Sequence, residues 1–138
     1  MFTVVFAIAV IFLTALIVDG GIALNARGRA ADIAGQAARA AADDIDIAAL
    51  RDRGQVLIAA GACGPAGTLV SQYAHQDSGG LDRVTSAVMQ VCAAGADTAT
   101  VRVTITTRPL IAGILGGFTE SATQTATAEC GITAGVEC

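Results

Sequence analysis

The beginning of the chain is almost free of polar side chains. In MFTVVFAIAVIFLTALIV, residues 1–18, only Thr3 and Thr14 are polar, and both hydroxyls can bond back to their own helix. At about 1.5 Å per residue the run is roughly 27 Å long, close to the hydrocarbon thickness of a bilayer. The pattern predicts a helix that crosses a membrane or fills the core of a helical assembly.

A secretory signal peptide is the alternative for this run. It would show a basic n-region, a shorter apolar core and a small-residue cleavage site. Here Ala7 and Ala9 lie too early for cleavage, and the nearest basic residues, Arg27 and Arg29, follow the run. We therefore favour a retained helix. Either a basic leader has been removed before residue 1, or something other than flanking charge sets the orientation.

Polar residues continue at helical spacing beyond Asp19. They fall alternately four and three positions apart, as one stripe along a helix would: Asn25, Arg29, Asp32, Gln36, Arg39, Asp43 and Asp46. The pattern predicts a single helix over residues 2–50, roughly 70 Å long. Gly54 is the expected stop signal, and the pair Gly20 and Gly21 is the place where the helix could bend.

Small residues form a second stripe on the same segment. They recur every seven positions: Gly21, Gly28, Gly35, Ala42 and Ala49. Such stripes let another backbone approach closely, whereas a glycine in a helix with no partner costs roughly 1 kcal/mol relative to alanine. We therefore expect contact with neighbouring helices, although glycines that only tolerate empty space remain the alternative.

The remaining residues, 51–138, predict a small head. GPAGTLVSQYAHQ, residues 64–76, reads as a short helix with Pro65 in its first turn. Residues 83–94 and 98–107 flank the short turn Gly-Ala-Asp as a hairpin. A third strand follows in residues 119–130, with Ala122, Ala126 and Ala128 facing inward and the threonines between them facing outward. The expected fold is α+β, a three-stranded antiparallel sheet on the short helix and the end of the long one.

The connection RPLIAGILGGF, residues 108–118, is unusually apolar for a loop. We favour a plug over one end of the sheet. The alternative is an exposed patch that inserts into a neighbouring subunit or lies on the membrane surface.

Composition agrees with a membrane or assembly protein. Of 138 residues 54% are hydrophobic and only 14% charged, which is too apolar for an ordinary soluble domain. The net charge of −4 excludes a basic nucleic-acid footprint.

Four cysteines, all in the head, indicate an oxidising compartment. Three pairings are possible. We favour Cys63 with Cys92 and Cys130 with Cys138, and expect no free thiol. A zinc site is disfavoured because the chain has no CxxC motif and a single histidine, His75.

Catalytic motifs are missing from the sequence. His75 lies in a polar stretch and reads as a solvated residue, and neither a phosphate-binding glycine loop nor a nucleophile elbow occurs. We predict a protein that is not an enzyme and needs no cofactor or metal.

Residues 1–50 resemble the N-terminal signature of the TadE/TadG-like proteins of tight-adherence (Flp-type) pilus systems. In that family an apolar helix ends in an Asp-Gly pair and continues as an alanine-rich segment. The matching positions are Asp19, Gly20, Ala31, Asp32, Ala34, Ala37 and Ala38. The later strands, with PLIAGILGG and TQTATAE, resemble actinobacterial-type members more loosely. One departure is Val5, because pilins of the wider type IV class carry glutamate at the fifth mature position.

The resemblance implies a pilin-like structural subunit of a cell-surface filament. The helices would bundle with copies of the chain or with other pilins after leaving the membrane. The expected assembly residues are Asp19, Gly20, Gly21, Arg27, Gly28, Arg29, Asp32 and Gly35. The alternative is a membrane-anchored accessory protein whose extracytoplasmic head binds the pilus or secretion machinery.

Overall fold

Three helices and three strands make up the described parts of the chain. The computed structural model describes residues 2–76, 84–107 and 118–128. In chain order the elements are α1 (Phe2–Ala42), α2 (Ile47–Arg53), α3 (Cys63–Gln76), β1 (Val84–Ala94), β2 (Thr98–Thr107) and β3 (Phe118–Thr127). The strands form an antiparallel sheet in the order β1-β2-β3. The α+β fold predicted from the sequence is confirmed.

The core of the head lies between one face of α1 and the inner face of the sheet. Every second residue of β2 is fully or almost fully buried there: Ala99, Val101, Val103, Ile105 and Thr107. The facing positions of α1 are small and fully buried: Ala30, Ala34, Ala37, Ala38 and Ala41. Because alanine side chains are short, the helix backbone can lie close to the strands. The second half of α1 is therefore the central element of the head.

The prediction that one helix continues to Leu50 is wrong, because α1 ends at Ala42. Asp43, Asp44 and Asp46 follow within four positions, and acidic side chains are unfavourable at the negative end of the helix dipole. Asp46 instead caps α2, where its carboxylate accepts hydrogen bonds from the backbone N–H groups of Ala48 (3.0 Å) and Ala49 (3.1 Å).

The short helix α2 lies in a loop whose two ends are joined by backbone pairing. Ile45 and Ile58 pair as an isolated antiparallel bridge at its base. Gly54 ends α2 in the left-handed conformation, with φ of 65°, and its N–H donates to the Leu50 carbonyl. Gly54 therefore ends a helix, as predicted, but that helix is α2 and not α1. The pair Gly20 and Gly21 lies within α1, which runs through it unbroken.

An irregularity in β1 turns the strand so that a cysteine faces the core. The register shifts between Met89 and Val91, so that Gln90 is an extra residue. Met89 lies opposite Val103 and Cys92 opposite Val101. Both therefore occupy the inner face of the sheet, which simple alternation would not allow. Cys92 forms the favoured disulfide with Cys63 at the start of α3, with a Cα–Cα distance of 5.9 Å.

The outer face of the sheet carries rows of hydroxyl groups. Thr100 and Thr125 lie opposite each other with their hydroxyl oxygens 2.9 Å apart, and Arg102 donates through Nε to the Thr123 hydroxyl at 2.9 Å. The alanines at 122, 126 and 128 pack against the core, as predicted for β3.

Several sequence expectations fall outside the described residues. They are the Cys130–Cys138 pairing, the loop between α3 and β1, the side chain of His75, and the connection at 108–117.

The disulfide generates a prediction about stability. Replacing Cys63 and Cys92 together by serine should lower the free energy of unfolding by about 3 to 4 kcal/mol, because the bond closes a loop between residues 29 positions apart. Denaturant unfolding of the full chain in detergent, followed by circular dichroism, measures this loss. Alkylation without reduction is the companion test on the unaltered protein, and labelling of Cys63 or Cys92 would contradict the bond.

Candidate membrane and assembly surface of the first helix

The N-terminal third of α1 takes no part in the described core of the head. Every residue in the range 2–14 is exposed, and large apolar side chains are between 46% exposed (Val10) and 94% exposed (Phe2). Helix α1 is long and apolar enough to cross a membrane, and 6% of its most apolar 18-residue window is buried within the chain. A core helix of a soluble protein would be mostly buried. So large an apolar surface requires lipid or other protein around it.

One side of α1 begins to be buried before the apolar run ends. Ala15 is 8% exposed and Asp19 is 9% exposed, and the same side continues through Ala26 into the core of the head. The head therefore begins at the membrane-length segment itself, with no linker between them.

The opposite side of α1 stays exposed for longer. It presents Ile17, Gly21, Leu24 and Gly28, spaced four, three and four positions apart, which we call the outward stripe. Ile17 is 68% exposed and Leu24 is 74% exposed. An apolar and small-residue surface thus extends about two turns beyond Asp19 on the side away from the head.

Within the described parts of the chain, no contact and no backbone conformation requires glycine in this region of α1. A Cβ atom added at Gly20, Gly21 or Gly28 would meet nothing within 4 Å. Among the described residues only Gly54 has a positive φ, so helical glycines are not needed for their backbone conformation either.

The seven-residue stripe read from the sequence does not form one surface. Gly35 is half-buried, and a Cβ atom added there would lie 4.0 Å from Gln124 Cγ. Ala42 is 3% exposed, and Ala49 lies on α2. A seven-residue repeat drifts by about 20° per heptad on a straight α-helix. That drift is too small to separate Gly28 from Gly35. Gly35 differs because β3 lies beside it, so only Gly21 and Gly28 remain on the outward stripe.

The polar assembly residues are spread along α1 rather than gathered in one place. Arg27 and Asp32 are exposed and Arg29 is half-buried, whereas Asp19 is covered on the side of the head. Asp32 also lines a groove of about 330 Å³ beside β3, together with Ala31, Gly35, Gln36, Arg39 and Gln124.

Gln36, which lines this groove, makes a contact that the sequence did not predict. The Tyr73 hydroxyl of α3 donates to Gln36 Oε1 of α1 at 2.7 Å. Part of the polar stripe of α1 therefore fixes α3 within the head. A polar residue at helical spacing gives no signal that separates such an internal bond from a solvated position.

Comparisons of the chain with protein-family models, curated protein sequences and solved structures gave no match. Within the described residues, no three His, Cys, Asp or Glu side chains are grouped as a metal ion would require. The candidate surface is therefore defined by exposure, apolarity and shape.

The glycine environments predict opposite effects for two substitutions. Gly28→Ala should stabilise the isolated chain by about 1 kcal/mol, because open space surrounds the new methyl group and alanine favours the helix. Gly54→Ala should destabilise it by about 1 kcal/mol or more, since φ is 65° there. Denaturant unfolding of both variants in detergent at low protein concentration compares them. A loss of stability in the Gly28 variant would mean that this position is packed within the chain.

Proposed function

We propose that the chain is a pilin-like structural subunit of a cell-surface filament of the tight-adherence type, assembled through bundled α1 helices. The observation that carries the proposal is the continuity of α1: an exposed apolar segment of membrane length leads without a break into the central helix of the head. A subunit that moves from a membrane into a filament core needs such a helix, because its apolar surface must be covered in both places.

The outward stripe supports the proposal that other helices cover the apolar surface of α1 after it leaves the membrane. Gly21 and Gly28 together offer a shallow surface, and small residues at such positions allow close helix packing. Lipid alone gives no reason for glycines there, because each costs helix stability. The Asp-Gly pair at the end of the apolar run is also the position at which the chain resembles TadE/TadG-like proteins.

A permanently membrane-anchored accessory protein of pilus assembly or secretion is the second candidate. Val5 favours it if Met1 is the first mature residue, because the glutamate that type IV pilins carry at the fifth mature position would then be missing. In this case α1 remains in the lipid and the extracytoplasmic head binds the machinery. The Cys63–Cys92 disulfide fits an oxidising compartment in both cases.

Shearing separates the two candidates. Under the filament proposal, the chain is released from cells by shear, sediments as filaments and is identified by N-terminal sequencing of that material. Gly28→Leu should then greatly reduce the sheared yield, because leucine fills the surface on which a neighbouring helix packs while leaving the head intact. Leucine at Ala40, a half-buried position of the same helix away from the outward stripe, is the control for added bulk. Normal filament yield from Gly28→Leu would remove the argument for helix bundling, and retention of all chain in the membrane fraction would favour the accessory protein.

The carboxylate at the end of the apolar run gives a second test. From the sequence we expect Asp19 to pair with Arg27 or Arg29 of an adjacent copy in a bundle, because a carboxylate carried into an apolar filament core is stabilised by positive charge near it. Asp19→Asn should therefore lower the sheared yield, whereas Asp32→Asn, a matched change at an exposed position on α1, should affect it less. Equal and normal yields from both variants would contradict the pairing. Within a single chain Asp19 is 9% exposed. An arginine of a neighbouring copy can therefore reach only the small exposed part of this side chain.

A further inference from the structure

The hydrogen bonds of the head establish which end of the sheet faces the apolar segment. The turn between β1 and β2 lies beside the C-terminal end of α1, because Ala96 accepts from the Ile58 N–H and Ile58 pairs with Ile45. From that turn β2 runs back along α1, and β3 pairs with β2 over its whole length. The end of β2 and the start of β3 are therefore the end nearest the apolar segment.

A contact in the last third of α1 shows which helix residues lie beside Phe118, the first residue of β3. Gln124 lies against Gly35. Gln124 is six positions after Phe118 in the strand, a rise of about 20 Å. The same distance along an α-helix is about 13 residues, or somewhat fewer if the axes are inclined. Phe118 thus lies about level with residues 22–25 of α1.

This level coincides with the membrane boundary set by α1. The apolar run of α1 ends at Val18 and is followed by Asp19, and its length is close to that of a hydrocarbon layer of about 30 Å, so the boundary of that layer lies near Asp19. The headgroup layer then covers the next several residues, including the exposed Leu24. The start of β3 falls within that layer.

Phe118 has the exposure that such a contact requires. It is 40% exposed at the end of the sheet. Of the other four aromatic residues, Phe2, Phe6 and Phe12 lie in the apolar segment and Tyr73 is bonded to Gln36. Aromatic rings and leucine are the side chains that interfacial contacts use.

We propose that the start of β3 is a second membrane contact, in which Phe118 enters the headgroup layer of the bilayer beside α1 while Leu24 enters it on the opposite side of the helix. The occupant of this surface is lipid, since the surface continues the one that α1 presents to the membrane. The head then rests on the bilayer instead of standing away from it. The contact requires only that α1 is inserted, so it applies to the filament subunit before assembly and to the anchored accessory protein alike.

Single tryptophans test the contact directly, because the chain has none. The full chain is reconstituted in phosphatidylcholine vesicles, with or without bromine on acyl carbons near the headgroup, as Phe118→Trp or Thr119→Trp. Phe6→Trp, read with bromine at deeper acyl carbons, reports insertion of α1. Ile47→Trp, 56% exposed at the far end of the head, is the control for a ring outside the lipid. Circular dichroism and alkylation of unreduced protein verify that each variant folds with its disulfide.

The expected result is a fractional loss of emission for Phe118→Trp at least roughly twofold larger than for Ile47→Trp, with an emission maximum shifted to the blue, as for an interfacial ring. Thr119→Trp should show a smaller loss in the same direction. If Phe6→Trp is quenched and both β3 reporters behave like Ile47→Trp, the second contact is wrong and the proposed function is unaffected. A blue shift without quenching would mean that protein covers the ring, which also overturns the contact. An unquenched Phe6→Trp would overturn membrane insertion and the contact together.

Discussion

Close packing between the alanine face of α1 and strand β2 is the interaction on which the rest of the structure depends. Among the described residues, the largest fully buried side chains are Ile105, Val70, Val101, Val103 and Thr107, so the described core is formed by close approach of the helix to the sheet and not by large side chains. Larger residues on that face of α1 would move the helix away from the sheet. A core of this kind is small, which explains why a covalent link between α3 and β1 supplements it. The head cannot be separated from the second half of α1, because that half supplies one wall of the core.

The elements governed by local periodicity could be predicted from the sequence. Alternation in β2 placed Val101, Val103 and Ile105 inside, and the Gly-Ala-Asp turn located the hairpin. The end of α1 was missed for a physical reason: Asp43 and Asp46 have helical spacing, yet the helix dipole and the capping preference of aspartate favour a break there. Spacing describes which face a residue would occupy, and it does not report whether the helix persists.

The details that depend on distant partners could not be predicted. The extra residue Gln90 in β1 is required because Cys92 must face Cys63 across the core, and no local pattern encodes that demand. The bond between Tyr73 and Gln36 likewise joins residues 37 positions apart. For the candidate surface, the sequence identified the apolar segment and the glycines, but the division of the small-residue stripe depends on where β3 lies beside α1. Gly28 was thereby separated from Gly35, although both belong to one repeat.

The exposed surface of α1 ends at different residues on its two sides, and this difference limits what can cover the helix. On the side of the head, burial begins at Ala15, whereas the outward stripe remains exposed as far as Gly28. A partner helix that approaches from outside therefore meets a surface that reaches well above the end of the apolar run, into the part of α1 that supports the head. Gly28 lies in that upper part, beyond the about 20 residues that a bilayer can surround. None of the described residues lies within 4 Å of a Cβ atom added at Gly28, so under the proposed filament function this glycine is where a neighbouring helix would contact α1.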